Sequence, residues 1–221
     1  MARVSKSALV ETLLERYGTT VAEALRIPVA KNTPAALFQL LFTAMLLSAR
    51  ISADKAMEAS RALMRAKLTT PRKMAAASWQ ERVDVITWHG YKRYDESASR
   101  MLGAMAERVL TVYGGDLRRL RTAAERKPER EKALLEEFKG IGNVGAGIFL
   151  REVQVAWEEV YPYADQRVLK AARRLGLGDD AQALARLVPR EDFARFAGAL
   201  LQVDLRHAYD EVASSRAQAS V

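Results

Sequence analysis

The chain has 221 residues, 49% of them hydrophobic, with 35 Lys+Arg against 27 Asp+Glu and a formal net charge of +8. That length buries a core in one compact unit or two small lobes, and the charge favours an anionic partner, nucleic acid first. The absence of cysteine excludes disulfides, cysteine-ligated zinc, cysteine-ligated iron–sulfur clusters and a thiol nucleophile. His89 and His207 alone are too few for a multi-histidine metal site.

Met1–Ser7 carries Arg3 and Lys6 with no apolar leader core after it, and the longest apolar run, Leu40–Leu47 with Thr43 inside, is far short of a membrane span. A cytoplasmic protein, nucleoid-associated if bacterial, is expected. Thr33-Pro34 opens the apolar helix and Thr70-Pro71 separates two further helices, as proline at a first helical position does. Ser78 with Glu81 forms a capping box ahead of Val83 and Ile86. Ala98, Met101, Leu102, Met105, Val109 and Leu110 trace one helical stripe, which Gly114-Gly115 stops. The segment Asp116–Lys132 is dense in charge, with Arg118, Arg119, Arg121, Arg126, Lys127, Arg130 and Lys132, and reads as a solvated face and loop. Val168, Leu169, Ala172 and Leu175 form another stripe, ended by Gly176. Phe193, Phe196, Ala197, Leu200 and Leu201 form a third after Pro189. Alternating strand patterns are missing, so the fold is expected to be all-α.

Lys139-Gly140-Ile141-Gly142-Asn143-Val144-Gly145 matches G-x-G-x-x-G, with Asp165 following Gly145 by 165 − 145 = 20 residues. A dinucleotide site requires a strand before the first glycine. Here Leu134, Leu135 and Phe138 before the motif, and the stretch from Ala146 to Val160 after it, both read as helix. A helix–glycine turn–helix has two readings. Its glycines and the free N–H groups of the second helix receive a backbone phosphate, or the turn is a tight corner without a ligand.

Phe138–Ala146 resembles the helix–hairpin–helix of the endonuclease III-like DNA glycosylase superfamily. Tyr161-Pro162-Tyr163-Ala164-Asp165 is similar to that family's stretch ending in an essential aspartate. Leu46-Leu47-Ser48-Ala49-Arg50 with Asp54 resembles its Leu-Leu-Ser-Ala-Gln segment, and Val168–Leu177 resembles the helix after the aspartate. The resemblance covers roughly residues 35 to 177. It implies two helical lobes with a DNA cleft between them, one at 35–150 with the hairpin and one formed by 1–34 with 151–221. It further implies a monomer acting in base excision repair on double-stranded DNA that contains a damaged base, flipped out of the stack for hydrolysis of its glycosidic bond. Gly140, Gly142, Asn143 and Gly145 would hold the DNA backbone. Asp165 would stabilise the cationic sugar and activate water, although an Asp before a helix also serves as a cap. Arg50 would fill the gap left by the flipped nucleotide, Arg167 and Lys170 would flank the DNA, and Trp88 and Tyr91 would line the base pocket. Trp157, Tyr161 and Tyr163 lie close to the same region in sequence.

The chain departs from the family at Val144, where strand-cleaving members carry a Schiff-base lysine. A monofunctional glycosylase is therefore expected, or a non-catalytic binder of damaged or distorted DNA on the same scaffold. Endonuclease III carries four cluster-binding cysteines that this chain lacks, so no iron–sulfur cluster or other cofactor is expected, with a monovalent cation at the hairpin as the one exception. The interval from Val144 to Asp165, 165 − 144 = 21 residues, is longer than expected for endonuclease III. One carboxylate without an evident acid suits alkylated purines, which are good leaving groups. Oxidised pyrimidines, uracil and mismatches stay open.

Overall fold

The computed structural model describes residues 6–87 and 95–212. Among them the chain is helical throughout: α1 (Lys6–Tyr17), α2 (Val21–Leu25), α3 (Pro34–Ser48), α4 (Ala53–Arg65), α5 (Pro71–Ala76), α6 (Trp79–Thr87), α7 (Asp95–Tyr113), α8 (Arg118–Ala123), α9 (Pro128–Glu136), α10 (Asn143–Val153), α11 (Gln166–Arg174), α12 (Ala181–Ala185) and α13 (Phe193–Arg206), with short 3-10 turns between some of them. None of the described helices is long and apolar enough to cross a membrane. Two compact units result, Leu25–Val160 and Met1–Ala24 with Tyr161–Val221.

The larger unit is built round α3. Thr33 caps it by accepting the Ala36 N–H at 3.3 Å, and Pro34 occupies its first turn. Its residues from Ala36 to Met45 are almost all buried, as expected of a helix apolar on every side. α4 and α10 pack along it, and α10 buries Ala146, Phe149, Leu150 and Val153 in this unit. The Ser78–Glu81 capping box is present: the Ser78 N–H donates to Glu81 at 2.7 Å and the Glu81 N–H to Ser78 Oγ at 3.1 Å. The α7 stripe faces inward through Ala98, Leu102, Met105 and Val109, and Gly114 and Gly115 end the helix with φ of 59° and 85°. Arg82 is buried and donates to the carbonyls of Met74 (3.0 Å), Ser99 (3.1 Å) and Ala77, closing the junction of α5, α6 and α7. Residues 25–34 and 151–160 belong to this unit, where buried Trp157 donates its indole N–H to Asn32 at 3.1 Å and meets Phe149 edge-on.

The smaller unit packs α13 against α1 and α11. Leu9, Val10 and Leu13 of α1, Val168, Ala171 and Ala172 of α11, and Phe193, Phe196, Leu200 and Val203 of α13 form its core. Leu169, Leu175 and Leu201 of the predicted stripes lie at the core margin, partly buried.

Candidate nucleic-acid interface

The hairpin begins where α9 runs out. Phe138 is buried beneath the Arg108 guanidinium, and its carbonyl accepts the Ile141 N–H at 2.9 Å to close the turn. Gly140 sits in that turn at φ 92°, where a side chain is strained, and a Cβ there would lie 2.5 Å from Met101 Sδ and 3.1 Å from Met45 Cγ. Gly142 differs. It is the extended N-cap of α10, at φ −106°, and a Cβ there would meet nothing within 4 Å. Gly145 lies under Ile141 Cδ1 and Ser48 Oγ, each 3.3 Å from a would-be Cβ. The first intrahelical bond of α10 runs from the Ala146 N–H to the Gly142 carbonyl at 2.9 Å, and no side chain caps the helix. Among the described residues, the N–H groups of Asn143, Val144 and Gly145 therefore have no acceptor. Such a helix end attracts an anion through its free donors and its dipole.

Two motifs distant in sequence meet here. Ser48 Oγ, in the last turn of α3, donates to the Met45 carbonyl at 2.8 Å and approaches the Gly140 carbonyl at 3.4 Å. Arg50 is exposed just past the end of α3, and Lys139 is exposed within the hairpin. Val144 is 62% exposed in the first turn of α10.

Asp165 belongs to the smaller unit. It is the N-cap of α11, and its Oδ1 accepts the N–H groups of Arg167 (3.0 Å) and Val168 (3.1 Å). Arg167 and Lys170 keep exposed side chains, yet both reach Asp204 of α13: Arg167 Nε lies 3.0 Å from Oδ2 and Lys170 Nζ 3.7 Å from Oδ1. Asp204 is only 3% exposed, and the Tyr209 hydroxyl donates to its Oδ1 at 2.8 Å. Burial opposes its ionisation, but the Tyr209 hydroxyl, the Arg167 guanidinium and the Lys170 ammonium outweigh it and hold the carboxyl below its ordinary range. Tyr209 is in turn pushed up, by burial first and by Asp204 second, with the Arg174 guanidinium 3.8 Å over its ring. Sequence reasoning missed Asp204. The available signal was an acidic residue one turn past Leu200 and Leu201, on the apolar stripe of α13.

Trp88 and Tyr91, expected in the base pocket, lie outside the described residues. Trp157 is a core residue. Tyr161 packs edge-on against Phe193 at 5.3 Å with Arg190 over its ring at 4.7 Å, and Tyr163 is half-buried. A second missed group is Glu131 of α9, fully buried. Burial first, and the Glu159 carboxylate second, raise it to about 8 against the pull of Arg121, which is itself paired with Glu159. Among the described residues no group of three or more Asp, Glu or His side chains is placed to hold a metal ion.

No family model and no curated protein matches the chain. Among solved structures it is similar to a trapped endonuclease III–DNA covalent intermediate in an estranged-adenine complex, at 20% identity over 74% of this chain and 71% of that one, with a TM-score of 0.46. It is also similar to a non-covalent endonuclease III–DNA complex, at 18% identity over 91% of this chain and 86% of that one, with a TM-score of 0.49.

Proposed function

We propose that this chain is a monofunctional DNA glycosylase, hydrolysing the N-glycosidic bond of a damaged base, with alkylated purines as the favoured class. The observation that carries the reading is the hairpin: a turn whose outer glycine, Gly142, has open space where a side chain would stand, beside three backbone donors without acceptors. Among the described residues nothing occupies the space of a Cβ at 142, which leaves the turn open to the close approach of a phosphate. The hairpin holds the backbone of the duplex independently of sequence while the target nucleotide leaves the stack.

Asp165 supplies the chemistry. As the bond to the base lengthens, positive charge builds on the sugar, and an ionised carboxylate stabilises it and orients the incoming water. Capping α11 is compatible with this role, because the two amides hold the carboxylate in one orientation. Val144 supplies no amine for a Schiff base, so the product is an abasic site in an intact strand. No cofactor enters this chemistry.

The test is base release from DNA treated with dimethyl sulfate, hydrogen peroxide or nitrous acid, read by mass spectrometry. Asp165→Asn is the decisive variant, since asparagine caps a helix as well as aspartate and leaves the fold in place. Wild type is expected to release a base that the variant does not, with DNA binding retained. Equal release by both overturns the role of Asp165. Release by neither, with tight binding, favours the non-catalytic binder, a reading to which the capping role of Asp165 lends its own support. Strand scission trapped by borohydride in wild type overturns the monofunctional claim.

A further inference from the structure

A carboxylate buried on the core face of a helix is costly. The apolar stripe of α13 that carries Phe196, Leu200 and Val203 also carries Asp204, 3% exposed, where a leucine would bury more apolar surface at no desolvation cost. What Asp204 gains is a set of partners on other turns: Tyr209 behind it, and Arg167 and Lys170 of α11 in front. Arg167 is the second residue of α11, and it is bound at both ends. Its guanidinium donates to Asp204 at 3.0 Å, and its backbone N–H donates to the Asp165 carboxylate at 3.0 Å. The relay from the buried carboxylate to the half-buried one is therefore two hydrogen bonds through a single residue, all within one unit.

We propose that Asp204 is a positioning residue for Asp165: by clamping the Arg167 side chain it fixes the first turn of α11, and with it the orientation of the Asp165 carboxylate. This rests on the glycosylase reading. A free first turn would fray, since helix ends open most easily, and the two amides that orient Asp165 would move with it. A carboxylate that must face a developing cation tolerates little displacement.

The test compares wild type, Asp204→Asn, Arg167→Met and the double variant, with single-turnover base release measured on whichever treated DNA wild type turns over. Affinity is measured on a labelled duplex carrying a tetrahydrofuran abasic analogue. Asp204→Asn is expected to slow release roughly 10- to 100-fold while affinity holds or rises, because Arg167 and Lys170 are released toward the phosphates. Arg167→Met is expected to slow release similarly, and the double variant to be no slower than the slower single one, as for two members of one chain of contacts. Hydrogen exchange of the Arg167 and Val168 amides, which reports the first turn directly, is expected to quicken in Asp204→Asn without DNA present. If that variant does not fold, Tyr209→Phe, which deletes one bond to Asp204, carries the same expectations at smaller amplitude. An unchanged release rate in Asp204→Asn, or additive effects in the double variant, overturns the relay while leaving the glycosylase reading intact. Absence of release by wild type from all three DNAs overturns both.

Discussion

The first two glycines of the hairpin, Gly140 and Gly142, should separate stability from binding. At Gly140 an alanine must hold φ near 92°, and its methyl would start 2.5 Å from Met101 Sδ and 3.1 Å from Met45 Cγ. The methionine ends are flexible and give way, so the backbone strain remains as the main cost, roughly 1–3 kcal/mol. For a chain of this size that lowers the melting midpoint by roughly 3–10 °C. At Gly142 the φ of −106° suits alanine and the methyl meets nothing within 4 Å. Losing a glycine N-cap costs at most about 1 kcal/mol, roughly 2–4 °C. The new methyl does, however, stand on the edge where the N–H groups of Asn143, Val144 and Gly145 are open. Displacing a phosphate from one charge-assisted hydrogen bond costs about 1.4 kcal/mol, roughly tenfold in affinity. Differential scanning calorimetry and fluorescence anisotropy on a labelled duplex read the two effects. The expected pattern is crossed: Gly140→Ala melts early, and Gly142→Ala melts almost normally but binds weakly. If Gly142→Ala binds DNA like wild type, the hairpin is a helix corner and the phosphate-cradle argument fails.

Three further predictions follow from single side chains. Glu131 holds its proton in the folded chain up to about pH 8, against an ordinary value of 4.5, so the folded state binds more protons across that window. Its contribution to stability is therefore complete below pH 4.5 and is lost as pH rises to 8, by up to about 1.4 kcal/mol per pH unit. Glu159, held low, acts with the opposite sign in more acid conditions. Urea midpoints should fall across the window and Glu131→Gln should flatten the fall; an unchanged slope in the variant refutes the assignment. Val144→Lys puts an amine at a 62% exposed position and is expected to create a borohydride-trapped DNA adduct, with abasic strand cleavage assayed in parallel; base release without trapping would show that this hairpin position does not reach the sugar. Lys139→Ala should lower the slope of log affinity against log salt by about one, whereas Arg130→Ala, whose charge is paired with Glu125, should leave it unchanged.

The elements legible in the sequence were those written in local spacing. The Ser78–Glu81 box is a reciprocal bond between residues three apart, and the α7 stripe is a period that survives folding unchanged. The glycine turn and the Asp165 cap belong to the same class. What stayed hidden depends on residues that only the tertiary fold brings together. Arg121 and Glu159 are 38 positions apart, Trp157 and Asn32 are 125 apart, and Arg167 and Asp204 are 37 apart. Trp157 shows the cost of reading by proximity in sequence. It stands eight residues before Asp165, yet its ring fills the core of the other unit, because the indole N–H finds its acceptor on Asn32.

Charge shows the same limit in another form. The +8 total points to an anionic partner, and Asp116–Lys132 is the densest run of cations that sequence offers for one. In the fold that run is largely answered: Arg118 pairs with Asp116, Arg121 with Glu159, Lys127 and Arg130 with Glu125, and Lys132 reaches Glu136. The pairs among them that are exposed, which excludes Arg121–Glu159, add little to stability. They nonetheless cancel the field within a few ångströms, well inside the screening distance of about 8–10 Å in physiological salt. Arg50 and Lys139 are fewer, but among the described residues neither has an ion-pair partner, and both belong to the segments that Ser48 draws together at the Gly140 carbonyl. A phosphate responds to local potential rather than to the composition of a segment. The reading that follows is geometric before it is electrostatic: the basic run keeps Arg119 and Arg126 without an ion-pair partner among the described residues, as many cations as the hairpin has in Arg50 and Lys139, and what sets the hairpin apart is three unanswered amide donors at one helix end.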